Sequence, residues 1–407
     1  MSRSSSLAAV ILLVSAAHAT VHFLEQSVAS VEQVISTDFE LSLKQSSWLG
    51  LALRLPYGLG AIFAGLLADR FGEKRILVLY LLGAAVICAG FSAATDVSTV
   101  YILLVGLGTC ASMYHPAGLA MLANATTPTT RARALGIHGI FGSMGIASAP
   151  FLAGLVLTLH AGAWKEYYLL LAAISAGLGV LLIWFLHPAA KPPESPETPV
   201  GQGEPHHFQW VPYLLLIFSA AASGLIYSGV LHFLPRYLQG SQSLQLFLGG
   251  ADASAGNLAA AAALMCGAAG QWTAGRLAVA RILPIQLAMV YASNAPLLIW
   301  MAYADGTSRI IAAGIWAFFH FMNQPLYNAL VAEFMSVRRR SFGFGFSNMM
   351  GFGVGAVGPY LIARYDATPH GFTDGYLLMA VVALVAGTAP LAVLSAGIAT
   401  RETESSS

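Results

Sequence analysis

His18, His22 and Glu25 stand four and three residues apart in HATVHFLEQSVASVEQ, residues 18–33. At helical spacing they share one face, a row of ionisable groups in an apolar segment. Two imidazoles and a carboxylate can bind a metal, relay protons or contact a substrate. His at i and i+4 can share a metal and Glu25 adds an oxygen. The helical zinc-hydrolase pattern, however, needs Glu directly after the first His, and Ala19 stands there. No metal is assigned on this pattern. A proton relay suits it better, because imidazole titrates near about pH 6.5 and carboxylates beside histidines recur in proton-driven transport. A fourth reading is a cleaved leader: MSRSSSLAAVILLVSAAHA has a basic residue, an apolar core and an Ala-His-Ala ending. The span count and internal repeat below require the segment to be kept.

These groups must sit within a membrane. Of the 407 residues, 57% are hydrophobic and 9% charged, against about 25% charged in soluble domains. The net charge of +1 points to no nucleic acid. Cys88, Cys110 and Cys266 lie in apolar runs without metal spacing and read as buried thiols. No loop has the pattern that cradles ATP phosphates, and no nucleophile or hydrolase motif supports a membrane enzyme or sensor.

Apolar runs near 7–36, 45–68, 76–94, 98–123, 132–158, 166–187, 211–238, 253–275, 282–303, 309–334, 342–363 and 373–398 give twelve spans, each near the ~20 residues a bilayer requires. The fold class is an all-α membrane protein of two six-helix bundles, 1–187 and 211–407, joined by a Pro-, Gly- and Glu-rich linker at 188–210. With the N-terminus inside, thirteen of the nineteen Lys and Arg residues fall on the cytoplasmic side and five outside, leaving Arg54 within the second span. Both termini are then cytoplasmic.

The halves repeat. VHFLE (21–25) matches LHFLP (231–235) at a shift of 210. YHPAGLAMLA (114–123) matches NQPLYNALVA (323–332) at 209, pairing Pro116 with Pro325. Gly136, Gly142 and Pro150 match Gly345, Gly351 and Pro359 at the same shift. Such duplication is a transporter architecture with its site between the halves.

GLLADRFGEKR (65–75) resembles the loop signature of the major facilitator superfamily at Gly65, Asp69, Arg70, Gly72, Lys74 and Arg75, with Glu73 at a position often basic there. GIASAPFLAG (145–154) is similar to that family's antiporter signature at Gly145 and Pro150, with Ala149 and Ala153 replacing Gly. YHPAG, RARALGIHGIFGSMG and YSGVLHFLPRYL resemble the fosmidomycin-resistance group of exporters, from which the chain departs at Ser228, where an arginine is expected; Ile102 likewise stands where proton-coupled drug exporters commonly carry an arginine. The resemblance implies that the loop locks the outward-facing state, and that spans one, four, seven and ten line a central cavity.

Each of those four spans carries a polar cluster: His18, His22 and Glu25; Tyr114 and His115; Tyr227 and His232; His320, Asn323 and Gln324. A charge at the bilayer centre costs at least ~2.5–3.5 kcal/mol, so such groups face a cavity and act. Glu25 and Arg54 fall at the same depth on neighbouring spans and are expected to pair. Glu25, His18, His22 and Arg54 form the expected proton-coupling set. Tyr114, His115, His138, Tyr227, His232, His320, Asn323 and Gln324 are the expected substrate contacts, with His138 and Asn348 equally readable as helix-to-helix bonds. Glu32 and Glu333 read as gate contacts or solvated ends, and Trp272, Trp300, Trp316 and Phe319 as aromatic walls or lipid-facing residues. The expectation is a bacterial inner-membrane secondary transporter, working as a monomer without cofactor and exporting a small organic molecule by proton entry. Uptake of a small carboxylate, or movement of a metal or metal chelate, are the alternatives.

Overall fold

The computed structural model describes residues 6–186, 209–239, 252–335, 340–365 and 372–405; the expected linker falls almost wholly outside them. Fifteen α-helices are described: α1 Leu7–Asp38, α2 Leu43–Phe71, α3 Glu73–Gly90, α4 Val97–Ser112, α5 Tyr114–Ala125, α6 Pro128–Leu159, α7 Trp164–Phe185, α8 Trp210–Gln239, α9 Asp252–Leu277, α10 Leu283–Tyr303, α11 Gly306–Phe321, α12 Asn323–Phe334, α13 Arg340–Gly355, α14 Gly358–Ala363 and α15 Phe372–Ser405. They stack into the twelve expected spans, because three spans are each two helices end to end: α4 with α5, α11 with α12, and α13 with α14. Ten spans are long and apolar enough on length and composition to cross a bilayer; the other two are the broken rods 306–334 and 340–363. Large apolar side chains face outward, among them Phe63, Val86, Ile102 and Trp184, as a lipid-exposed bundle requires.

The breaks have one cause. Proline lacks the N–H that would bond to the carbonyl four residues back, and its ring crowds that carbonyl. Pro116 and Pro325 lie four residues beyond Ser112 and Phe321, where α4 and α11 stop. Each break passes through one tight turn: the Met113 N–H donates to Cys110 O at 3.2 Å, and the Met322 N–H to Phe319 O at 3.2 Å. Pro359 does the same four residues beyond the end of α13. The runs read as continuous at 98–123, 309–334 and 342–363 are therefore each broken, and the first two breaks set Tyr114–His115 and Asn323–Gln324 at the joints.

Packing repeats with the sequence. In the first six spans α1 packs on α6, α2 on α4, and α3 on α7; in the last six α8 packs on α13, α9 on α11, and α10 on α15. Between the bundles α6 packs on α9, and α13 on α2. Each pair maps onto another when span number advances by six, the signature of two pseudo-symmetric bundles. Glycines permit the closest crossings. A Cβ on Gly145 would overlap Ala19 O where α6 meets α1, and one on Gly224 would overlap Gly351 O where α8 meets α13.

The bundles are bound together at one end. There Arg236 donates to Glu32 through Nε at 2.8 Å and Nη2 at 3.0 Å, while within the first bundle Ser46 Oγ donates to the same carboxylate at 2.5 Å. Asn257 Nδ2 donates to Ser30 O at 2.8 Å, and Ser254 Oγ to Gly154 O at 2.9 Å. Cross-bundle bonds continue to mid-depth, where Ser143 donates to Gln271. Towards the opposite end Asp69, Arg70, Arg276, Gln324 and Glu333 are exposed.

The α2–α3 corner supplies the loop signature. Gly72 ends α2 and starts α3 at φ +86°, a conformation that favours glycine. Lys74 Nζ donates to Ile183 O at 2.9 Å. Glu73, at the position often basic elsewhere, accepts from Asn124 Nδ2 at 2.8 Å and so ties the corner to α5.

Candidate functional site

Near the middle of α1, Glu25 is fully buried at the contact between bundles. Its Oε1 lies 3.0 Å from Arg54 Nη1 on α2 and accepts from Gln26 Nε2 at 3.1 Å. Its Oε2 lies 3.1 Å from His22 Nδ1 and accepts from the Tyr227 hydroxyl at 3.2 Å. A buried carboxylate needs this much compensation, since an unpaired charge is not tolerated there. The expected Glu25–Arg54 pair is present and is part of a larger network.

Arg54 is also fully buried. It donates through Nη1 to Ser228 Oγ at 3.0 Å and through Nη2 to Gln26 Oε1 at 3.1 Å, and its guanidinium carbon lies 5.5 Å from the centre of the Tyr227 ring. Among the described residues Arg54 Nε has no hydrogen-bond partner. Gln26 closes the network by donating to the Tyr227 hydroxyl at 2.8 Å. Gln26 and Ser228 were not among the expected site residues. Gln26 adjoins Glu25, and Ser228 is where the resemblance leads one to expect arginine. A second guanidinium there would crowd Arg54, whereas the serine hydroxyl accepts from it. The other departure has a different reason: Ile102 is 72% exposed and points away from the bundle.

Beside this network four imidazoles gather from three spans. His18 stacks on His138 at 3.7 Å between ring centres, and its centre lies 4.8 Å from His22 and 5.4 Å from His115. His22 and His115 are also 5.4 Å apart. Gly142 makes this possible, because a Cβ there would overlap the His18 ring. One ring nitrogen each from His18, His22 and His115 lies within 4.8 Å of the others. Their Nδ1 atoms are engaged elsewhere: His18 with His138 O at 2.7 Å, His22 with Glu25, and His115 with the Tyr57 hydroxyl at 3.3 Å. Tyr114 is fully buried. Its hydroxyl donates to Val14 O at 2.7 Å and meets His138 Nε2 at 2.9 Å. Tyr114 and His138 thus form the wall behind the cluster, while His115 is half-buried.

The remaining expected residues divide. Tyr227 stacks on His320 at 6.2 Å, and Trp316 on the same imidazole at 4.8 Å. His320 Nδ1 meets Asn294 Oδ1 at 2.9 Å. Asn323 Nδ2 donates to His320 O at 2.5 Å and to Ser223 Oγ at 3.4 Å. Gln324 accepts from Gln271 Nε2 at 2.5 Å and is exposed. His232, paired by the repeat with His22, stands apart. It is fully buried, with Nε2 on Ser46 O at 3.1 Å and its ring against Gly50. That placement makes it a bundle-to-bundle contact rather than a surface a substrate reaches, because the repeat preserves backbone position and not what packs around it. Trp272 and Trp300 are exposed, whereas Trp316 is fully buried. Phe352, not singled out in the sequence, meets Tyr57, His115 and Tyr227.

The sequence profile of the Major Facilitator Superfamily matches residues 11–359. The tetracenomycin C resistance and export protein of Streptomyces glaucescens is 29% identical over 160 residues, 38% of this chain and 29% of the relative. The riboflavin transporter RibZ of Clostridioides difficile is 26% identical over 165 residues, 40% of this chain and 34% of the relative. The chain thus matches about a third of the length of these relatives. Among solved structures, a bacterial homologue of the human lysosomal transporter Spinster, in an inward-facing and occupied conformation, superposes with a TM-score of 0.71 at 16% identity over 96% of both chains.

Proposed function

The chain belongs to the major facilitator superfamily, and we propose that within it this protein is a proton-coupled exporter of a small organic molecule, acting by alternating access. The transporter class follows from family membership and sets enzymatic activity aside. The finer reading is carried by one observation: a fully buried Glu25–Arg54 pair bridged to Tyr227 and Ser228 of the other bundle. The pair lies within the first bundle, and its bonds to Tyr227 and Ser228 must be remade when the bundles rock, so a proton on Glu25 and the separation of the bundles are coupled. The groups facing Glu25 are Arg54 from α2, His22 and Gln26 from α1, and Tyr227 from α8.

In this reading residues 1–187 and 211–407 are the two rocking bodies, joined by 188–210. Both termini lie in the cytoplasm of a bacterium, below its inner membrane, and the protein acts as a monomer. The end bound by Glu32 and Arg236 is then extracellular, and the conformation faces inward. Exposed Asp69 and Arg70 agree with this, since the loop they belong to is expected to lock the opposite state. The half-buried faces of His115, Tyr227, Asn323 and Phe352, with exposed Gln324 below them, are the substrate contacts. Export is favoured because resistance and export proteins stand among the relatives.

The test is substrate-driven proton movement in proteoliposomes with an imposed pH gradient. Candidate substrates come from a ligand screen read by thermal stability. Glu25→Gln should abolish proton movement while leaving substrate exchange measurable; proton movement that survives the substitution overturns the coupling assignment.

A further inference from the structure

The three imidazoles of His18, His22 and His115 have a property the proton-coupling role does not require. Each ring is held through Nδ1 by a different outer group: a backbone carbonyl, a carboxylate and a phenol hydroxyl. Among the described residues no protein group bonds to the three Nε2 atoms, the Nδ1 atoms being the ones engaged, so Nε2 is the nitrogen free to bind on each ring. This is the arrangement of a metal-binding histidine, whose second nitrogen is fixed by a carboxylate, carbonyl or hydroxyl so that the first points at the ion. Three ligand atoms within 4.8 Å of one another have a common centre no more than about 2.8 Å from each, against about 2.0–2.1 Å for a zinc–imidazole bond. Side-chain adjustments of less than about 1 Å close that gap.

We propose that His18, His22 and His115 form a binding site for one divalent late transition-metal ion of the Zn2+ class, with its fourth position open on the side of half-buried His115. Neutral imidazole favours zinc, copper and nickel over magnesium or calcium, which prefer oxygen. Three protein ligands with one open position is also the pattern that leaves room for an exogenous donor. The open position lies on the side of half-buried His115, because His138 and Tyr114 close the back. Glu25 is a positioning residue here: through His22 Nδ1 it sets the ring that presents Nε2. The cargo would therefore be a molecule that carries such an ion or donates a ligand to it.

The inference rests on the proposed reading of His115 and its neighbours as the transport site, but its test does not need transport. Purified full-length protein without an affinity tag is titrated in detergent with Zn2+, and separately with Co2+ as a spectroscopic reporter. The expected result is one ion per chain, a visible Co2+ absorption of tetrahedral intensity, and a change in that spectrum on adding azide or imidazole. His18→Gln, His22→Gln and His115→Gln should each weaken binding at least tenfold, Glu25→Gln about tenfold or more through His22, and exposed His160→Gln not at all. Gel filtration of each variant separates lost ligands from lost fold. The wild-type protein failing to bind Zn2+, or the triple variant binding it unchanged, overturns the proposal, as does a Co2+ spectrum blind to added ligands. Absent metal binding with intact substrate-linked proton movement would sink this inference alone. Intact metal binding in a protein that moves no substrate would sink the transport reading instead.

Discussion

The two bundles share a scaffold and divide the chemistry. Both break a span at a proline four residues past the stop, both cross their first and fifth spans at a glycine, and both place polar residues at the joint. In the first bundle the joint and its neighbours hold His18, His22, Glu25, Arg54, His115 and His138. The repeat offers Ser228, His232, Pro235, Ala263 and Gln324 at the matching places, and Ser347 opposite His138. Only one of these is ionisable, and it is sealed against Gly50. The second bundle contributes Tyr227, His320 with its Trp316 shelf, and neutral amides. Duplication therefore preserved what the backbone must do, while charge was confined to one side and its bonding partners placed on the other. Such a division makes the interface itself the place where protonation is felt, since Tyr227 and Ser228 bond to charges they do not carry.

The largest expected effect concerns the charges. Arg54→Met leaves Glu25 buried without its guanidinium and should cost about 3–5 kcal/mol of stability, the range for breaking a buried pair. The Arg54→Met, Glu25→Gln double variant should recover most of that loss. Thermal unfolding in detergent checks this; additive single and double effects would show that the pair is not a unit. Next come the glycine crossings. Gly145→Ala and Gly224→Ala should each destabilise by about 1–3 kcal/mol through overpacking, and by similar amounts if the bundles are equivalent scaffolds. Strong asymmetry in their melting temperatures would break that equivalence.

A swap at the proline joints sharpens the division of labour. His115→Gln gives the first bundle the second bundle's residue and should reduce transport at least tenfold. Gln324→His, its mirror, should change transport less than threefold, because the nitrogen it adds lies in the other bundle from the His18, His22 and His138 cluster. Comparable losses would mean the joints act symmetrically. The smallest effect is expected at the bound end. Glu32→Gln removes a buried carboxylate and leaves a partly solvated arginine, so the stability change should be smaller than for Arg54→Met, where the charge left behind is fully buried. It should instead raise the accessibility of a cysteine placed at Ser30, read by the rate of thiol labelling with Cys110 and Cys266 replaced by Ser, since only Cys88 of the three expected buried thiols is buried; an unchanged rate would remove Glu32 from the gate.

Much of this was legible because bilayer physics is strict. Twelve apolar runs, the duplication and the Glu25–Arg54 pairing all follow from span length and equal depth on neighbouring helices. The breaks were less legible. Pro116, Pro325 and Pro359 were visible, but a proline inside a span can also be absorbed without a break, as Pro150 and Pro56 are in α6 and α2. The place of His232 was not legible at all, because its pairing with His22 in the repeat concealed an opposite surrounding.

By itself the sequence determined the membrane class, the repeat and which ionisable residues must be sheltered, since a charge in hydrocarbon has no stable alternative. Only the tertiary structure decided which residues meet. Gln26 and Ser228 join the ion pair, three imidazoles gather with one nitrogen each within 4.8 Å of the others, and Glu32 finds Arg236, through contacts that span up to 204 residues. Those encounters depend on rotation about each helix axis and on which bundle faces which. Packing between helices sets both, and spacing along one chain cannot encode them locally.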